Sequence, residues 1–256
     1  MSRIYLIILF LSPFLEIYGG NKIAPLDDEL TEWGTALPEE VDGVRIFRVS
    51  GPDSKGNSSV NGLVDLPGID REKAFVGAYV GVSESLNNET DEIDAVDYDN
   101  MRFSVYREVH DGTGKNALIY RYRTAYQFTD EIMTFSSFDI TIEFKEKGLI
   151  PRKLDVEKFK PSTNNRHREI VESFAIANSR LVNEVACHIK ESKDDNVTHW
   201  DGIKNGLVQK GMNETEVILI GGKPNIVSPS GKRTQWIYSN DFIVIFTDGV
   251  VINVIQ

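Results

Sequence analysis

An α+β fold is what this sequence predicts: an antiparallel β-sheet with one long covering helix, followed by a small two-helix, three-stranded antiparallel module. Three observations lead there. Short runs with apolar residues at every second position fill much of the region from Ala74 to Phe144. A longer period takes over at Ile170, Phe174, Ala177, Leu181 and Val185, whose three- and four-residue steps mark one face of a helix. Beyond the polar stretch 191–196, caps, glycines and tight turns divide the remaining chain into two helical and three strand-like pieces.

The chain has 256 residues, 28 Lys and Arg against 39 Asp and Glu, and 41% hydrophobic residues. That hydrophobic share is enough for a packed core and argues against disorder over most of the length. The net charge of −11 disfavours a binder of the nucleic-acid backbone, whose affinity comes from clustered Lys and Arg. The acidity is local. Windows 27–42 and 84–99 carry seven acids each and no base, whereas 197–256 carries five of each sign. The chain has no basic stripe, so nucleic acid is not an expected partner. A single cysteine excludes an internal disulfide and a multi-Cys zinc site.

Taken in order, Arg3, the apolar run from Ile4 to Leu15, and Gly19-Gly20 have the layout of a secretory signal peptide, assigned to residues 1–20. The run is interrupted by Pro13 and falls short of the roughly 20 apolar residues that span a bilayer, so no transmembrane segment is expected after signal removal. No cysteine near residue 20 could carry a lipid. Residues 21–43, with Pro25 and Pro38 and no strong period, read as an acidic leader.

A β-rich domain ending in a helix is placed at 44–192. Within it Ala74, Val76, Ala78, Val80 and Val82, interleaved with Gly77 and Gly81, read as a strand. Met101 to Val109, Ala117 to Phe128 and Phe138 to Phe144 read as three more, with Asp111-Gly112-Thr113-Gly114 as a hairpin turn. Glu89 to Asp99 reads as a solvated acidic loop. The helix at roughly 165–191 would cover the open face of the sheet.

The module is placed at 197–256. Trp200, Ile203 and Leu207 have helical spacing, and Gly206 and Gly211 hold that helix to about two turns. Asn213 is a good N-cap, with Glu216 completing a capping box; Val217 and Ile220 give the second helix an apolar side, and Gly221-Gly222-Lys223-Pro224 stops it. A loop containing Pro229 and Gly231 leads to strands at 234–238, 242–247 and 250–255.

Gly211-Met212, Asn213, Val217, Gly222-x-Pro224, Trp236-x-Tyr238, and a strand ending in Phe246 before Asp248-Gly249 together resemble the SmpA/OmlA (BamE-like) family of outer-membrane assembly factors. The resemblance covers about residues 197–256. It implies a two-helix, three-stranded layer that acts by binding other proteins, with Gly211, Met212, Asn213, Val217, Gly222 and Pro224 as structural motif positions. Asn213 stands where the family usually has Thr, and Gly221 where it usually has Leu, which should loosen the end of the second helix. The family's lipid-bearing cysteine is missing.

Residues that could carry chemistry do not assemble into a catalytic set. Asp65-Leu66-Pro67-Gly68 has the form of a nucleotide-hydrolase element, but no phosphate loop accompanies it, and it reads as a turn. Cys187 and His188 are neighbours on a helix and point about 100° apart, so the cysteine is expected to be a buried structural thiol. The four histidines lack metal-ligand spacing, and the acids of 89–99 lack the glycine and glutamate of a calcium loop. Arg121 and Arg123, alternating with tyrosines, read as one wet face of a sheet. No enzyme activity, cofactor or metal is expected.

The expectation is therefore an exported, non-catalytic cell-envelope protein, in the periplasm or on the periplasmic face of the outer membrane. Its C-terminal module would mediate protein–protein interaction with envelope proteins, outer-membrane assembly subunits among them. Trp236, Tyr238 and Phe246 are the expected partner-binding anchors, since Trp and Tyr dominate hot spots, although Trp236 and Tyr238 would equally complete the small core. The alternative is a periplasmic small-ligand or lipid-binding protein that uses a pocket in the N-terminal β domain.

Overall fold

A computed structural model describes residues 40–41, 44–50, 59–87, 89–111, 118–144, 152–155, 165–192, 196–239 and 242–255. Residues 1–20, expected to be a signal peptide, and most of the expected acidic leader lie outside the described residues. Eight strands build one antiparallel sheet: β1 (Glu40–Val41), β2 (Val44–Ser50), β3 (Ser59–Asp65), β4 (Glu92–Asp97), β5 (Arg102–Asp111), β6 (Leu118–Thr129), β7 (Ile132–Phe144) and β8 (Arg152–Asp155). Their order is β1-β2-β3-β7-β6-β5-β4, with β8 alongside the far half of β7.

The meander from β4 to β7 follows from period-two sequence. Phe103, Val105 and Arg107 of β5 face inward, as do Tyr120, Tyr122, Thr124, Tyr126 and Phe128 of β6; the register sets Phe103 against Tyr126 and Arg107 against Tyr122. The predicted β5–β6 hairpin is present, pairing Asp111 with Leu118. The other face is wet. There Arg121 bonds Glu108 and Glu143, and Arg123 bonds Asp94 and Asp139 while its guanidinium lies 5.4 Å from the Tyr106 ring. Asp139 reaches that position because a bulge in β7 puts it in the left-handed region, at φ 53°.

Two expectations about this region's secondary structure need correction. Residues 74–82 are not a strand but the centre of helix α1 (Arg71–Ser85), capped by Asp70, whose side chain accepts from the Lys73 amide at 2.8 Å. The run is apolar on every side because the helix is enclosed, so an alternating period and a helical one fit it equally. The alternating reading passes over Phe75 and Tyr79, which are both buried. Likewise Glu89 to Asp99 is not simply a loop: β4 occupies Glu92–Asp97, and its acids partner the arginines of the wet face, Asp94 with Arg123 and Asp97 with Arg102.

Helix α2 (Asn165–Glu191) falls where the apolar period places it. Phe174 packs against the rings of Tyr120 and Tyr122, with centroids 5.5 and 5.0 Å away. The inner face of the sheet is thus shared by two helices. They approach closely where α1 carries Gly77 and Gly81: a Cβ at Gly81 would lie 2.6 Å from Cγ of His188, and one at Gly77 3.1 Å from Cα of Ile189. Cys187 is exposed on α2 rather than buried, with its Sγ 3.9 Å from Oδ1 of Asn183.

The C-terminal unit consists of α3 (Trp200–Lys204), α4 (Glu214–Gly221) and four strands, β9 (Ile226–Ser230), β10 (Arg233–Ser239), β11 (Phe242–Thr247) and β12 (Val250–Ile255), in the order β12-β11-β10-β9. Three of these strands were expected. The fourth, β9, replaces the predicted loop; it holds Pro229 and is exposed throughout, which is where a sheet tolerates proline. The α3 helix is shorter than its apolar spacing suggests, and Leu207 lies outside it and exposed.

Both sheets share one core. Phe75 sits among Tyr79, Tyr98, Phe103 and Phe128, and the same cluster continues through Ile203, Met212, Val217, Leu219, Trp236 and Phe246. Burying each such large side chain contributes about 1.5–3 kcal/mol. Polar contacts span the same joint. The Tyr98 hydroxyl donates to the Leu219 carbonyl, Trp200 Nε1 donates to Glu72 at 3.3 Å, and Lys223 Nζ donates to the Glu84 carbonyl at 3.2 Å. Burial pushes the Tyr98 hydroxyl up to about 12, so it remains a donor. Among the described residues, no helix is long and apolar enough to cross a membrane.

Candidate functional site

The motif positions of the C-terminal unit are explained by its backbone. Gly211 adopts φ 95°, and its amide donates to the Val251 carbonyl at 2.9 Å. Met212 is buried, with its carbonyl accepting from the Val251 amide at 2.8 Å. Asn213 and Glu216 form the predicted capping box. Val217 is buried, Gly222 closes α4 at φ 66°, and Pro224 is half-buried just beyond it. Gly221 has a purpose of its own: a Cβ there would lie 3.0 Å from the Tyr238 ring. The close fit lets the Tyr238 hydroxyl donate to the Gly222 carbonyl at 3.0 Å, bracing the helix end.

Glu216 does more than cap. Its carboxylate is buried and accepts from the amides of Thr198, His199 and Asn213 at 2.7, 2.9 and 2.9 Å, and it lies 2.9 Å from Nδ1 of His199. Burial alone would raise its pKa, but these hydrogen bonds outweigh burial and hold it below the usual glutamate value. The residue therefore pins the segment entering α3 to the start of α4.

The three expected anchors point elsewhere. Trp236 is 6% exposed and Phe246 fully buried, their ring centroids 4.6 Å apart beneath α4. Tyr238 is half-buried against Gly221 and Phe242. Trp236 and Phe246 complete the small core and present no open ring to a partner.

The opposite face of the same sheet carries one apolar row, beside polar positions such as Ser228, Gln235 and Asn253, that no described residue covers. In the strand register Ile226 pairs with Ile237, Ile237 with Ile243, and Ile243 with Ile255. Four isoleucines thus form one row across all four strands, on the side away from Trp236 and Val244. Ile226 and Ile255 are 56% and 46% exposed, and Ile237, Ile243 and Ile245 are partly so. Val250, paired with Thr247, adds exposed aliphatic surface on the same side at the β12 edge, whereas the exposed Val227 pairs with Trp236 and belongs to the other face. Scattered apolar residues on a surface are ordinary; here four of them are contiguous across the sheet.

A second feature lies where α1, α2 and β5 meet. A cavity of about 280 Å³ opens between Gly81, Glu84 and Ser85 of α1, Leu181, Glu184, Val185 and His188 of α2, and Arg107 of β5. Arg107 is 5% exposed, yet its guanidinium makes a single hydrogen bond, Nη2 to Ser85 Oγ at 3.0 Å. Asp91, the nearest carboxylate, stands 3.9 Å from Nη1, and Nε has no partner. This site was legible: Arg107 continues the inward series Phe103, Val105, and an arginine in an apolar series is the exception to notice. Among the described residues, no cluster of three or more His, Cys, Asp or Glu could hold a metal.

No family model matches the chain, and no curated protein matches it. Among solved structures, a TBP-like protein from Parabacteroides distasonis is similar at 11% identity and a TM-score of 0.47, over 56% of this chain and 99% of that one. A DUF4468 family protein from Bacteroides ovatus is similar at 13% identity and a TM-score of 0.43, over 57% of this chain and 94% of that one. Neither similarity is strong enough to transfer a role.

Proposed function

We propose that this is an exported, non-catalytic protein of the cell envelope whose C-terminal unit mediates protein–protein interaction, outer-membrane assembly subunits being the expected partners. The observation that carries the reading is the isoleucine row of the small sheet. Its partner would be a protein segment with an aliphatic face, laid across the row or along the β9 edge. The likeness of residues 197–256 to the SmpA/OmlA (BamE-like) family favours a partner in the assembly machinery, and the N-terminal apolar run favours export.

The test is capture from the envelope of the native host by wild-type protein and by the double variant Ile226→Ser/Ile255→Ser. Recovery of assembly subunits by the wild type, lost in the variant at unchanged melting temperature, supports the reading. Capture that survives the double substitution moves the interface elsewhere. Mass spectrometry of the protein from the same host tests export independently, since a mature chain should begin near Asn21.

A further inference from the structure

We infer that the cavity between α1, α2 and β5 is a binding site for a small zwitterion: an α-amino acid with an aliphatic side chain, its carboxylate on Arg107 and its ammonium at Glu84 and Glu184. The inference is independent of the partner surface on the small sheet. It begins with the cost of burying a guanidinium. A buried charge is tolerated when its hydrogen-bonding capacity is met, and Arg107 has five N–H donors but one hydrogen bond, to Ser85. Asp91 cannot make up the difference. It is 3.9 Å away, and its oxygens already accept from the Glu108 amide at 2.9 Å and the Asn87 amide at 3.3 Å. Arg107 thus lines the cavity with a guanidinium that makes one hydrogen bond and has no carboxylate closer than 3.9 Å, an arrangement that a planar carboxylate in the cavity would complete.

The rest of the lining narrows the ligand. Glu84 and Glu184 line the cavity as well, and both are exposed, which places negative charge toward solvent and positive charge at the buried end. A simple anion would be repelled on entry, whereas a molecule with a cationic group behind its carboxylate matches both ends. Leu181 and Val185 supply an aliphatic wall from α2. The volume of about 280 Å³ is at the small end for ligand sites, which range from about 300 Å³ upward, and suits an amino acid better than a lipid chain.

The experiment uses the full chain and three probes sharing one carbon skeleton: L-leucine, its deaminated acid 4-methylpentanoate, and its decarboxylated amine isoamylamine. Calorimetric titration should show L-leucine binding, with each single-charge analogue weaker by about tenfold or more, as expected for loss of one charge-assisted hydrogen-bonded contact. Arg107→Met should abolish binding. Because that variant could unfold, Glu84→Gln/Glu184→Gln provides a second reading at exposed positions: it should weaken L-leucine while leaving 4-methylpentanoate equal or tighter. No binding of L-leucine at millimolar concentration overturns the proposal. So does equal affinity for L-leucine and 4-methylpentanoate in the wild type, or an unchanged L-leucine affinity in the double glutamine variant.

Discussion

The two sheets turn contrasting faces to the outside. The large sheet carries a lattice of charges across β4 to β7, in which Arg121 binds carboxylates on the two strands beside it and Arg123 binds Asp139 on β7 and Asp94 on β4, one strand further out. Each of these arginines is answered by carboxylates within the sheet. The small sheet carries a row of isoleucines that nothing among the described residues covers. Both sheets bury aromatic and aliphatic residues on their inner sides, so the difference is not one of stability. A face whose polar groups pair internally has no need of a partner, whereas an exposed apolar row gains by being covered.

The strongest test of the comparison asks whether the two regions are separate bodies at all. Phe75→Ala removes a ring at the junction of the shared core and should cost about 3–5 kcal/mol. Trp200 and Trp236 both report on the C-terminal unit, and circular dichroism reports on the whole. The two melting curves should shift together; independent transitions would show that the units fold apart. Next, Glu216→Gln should cost about 1–3 kcal/mol, since it weakens several hydrogen bonds to a buried carboxylate. Because the folded pKa is lowered, that contribution is complete above the ordinary glutamate value and is lost as pH falls through the folded one. The gap in denaturant midpoint between wild type and variant should therefore close in acid.

Smaller effects separate the two outer faces. Ile237→Thr should change stability by less than about 1 kcal/mol, because the side chain packs on no core residue, yet it should weaken partner capture. Arg123→Ala should cost less than about 1 kcal/mol in dilute buffer, and the difference from wild type should shrink in concentrated salt. A large, salt-independent loss for Arg123→Ala would mean that the charge lattice is structural in a way its exposure does not suggest.

Much of this architecture is legible in the residues themselves. The β5–β6 hairpin is visible because one face of each strand is wet, which imposes a period of two. Helix α2 is visible because only one of its sides is buried. Helix α1 is hidden for the opposite reason: enclosure makes it apolar all round, and the period that would identify it disappears. Strand β9 is hidden because it is exposed throughout and contains Pro229, so it has neither alternation nor ordinary strand composition. The isoleucine row depends on register, which joins residues from Ile226 to Ile255, and no local pattern announces it. Trp236 and Phe246 are of a composition that suits a hot spot and a small core alike, and it is the small core they fill.

The polar contacts that join the C-terminal unit to α1 and to the turn after β4 link residues 105 to 139 positions apart in the chain. Such joints close late, because a long intervening segment must be ordered before they gain anything. During synthesis the large sheet and its two helices emerge first, with the side of α1 destined for α4 still bare. Residues 197–255 then arrive as the piece that seals it, so a chain cut ahead of them would expose the side of its own core.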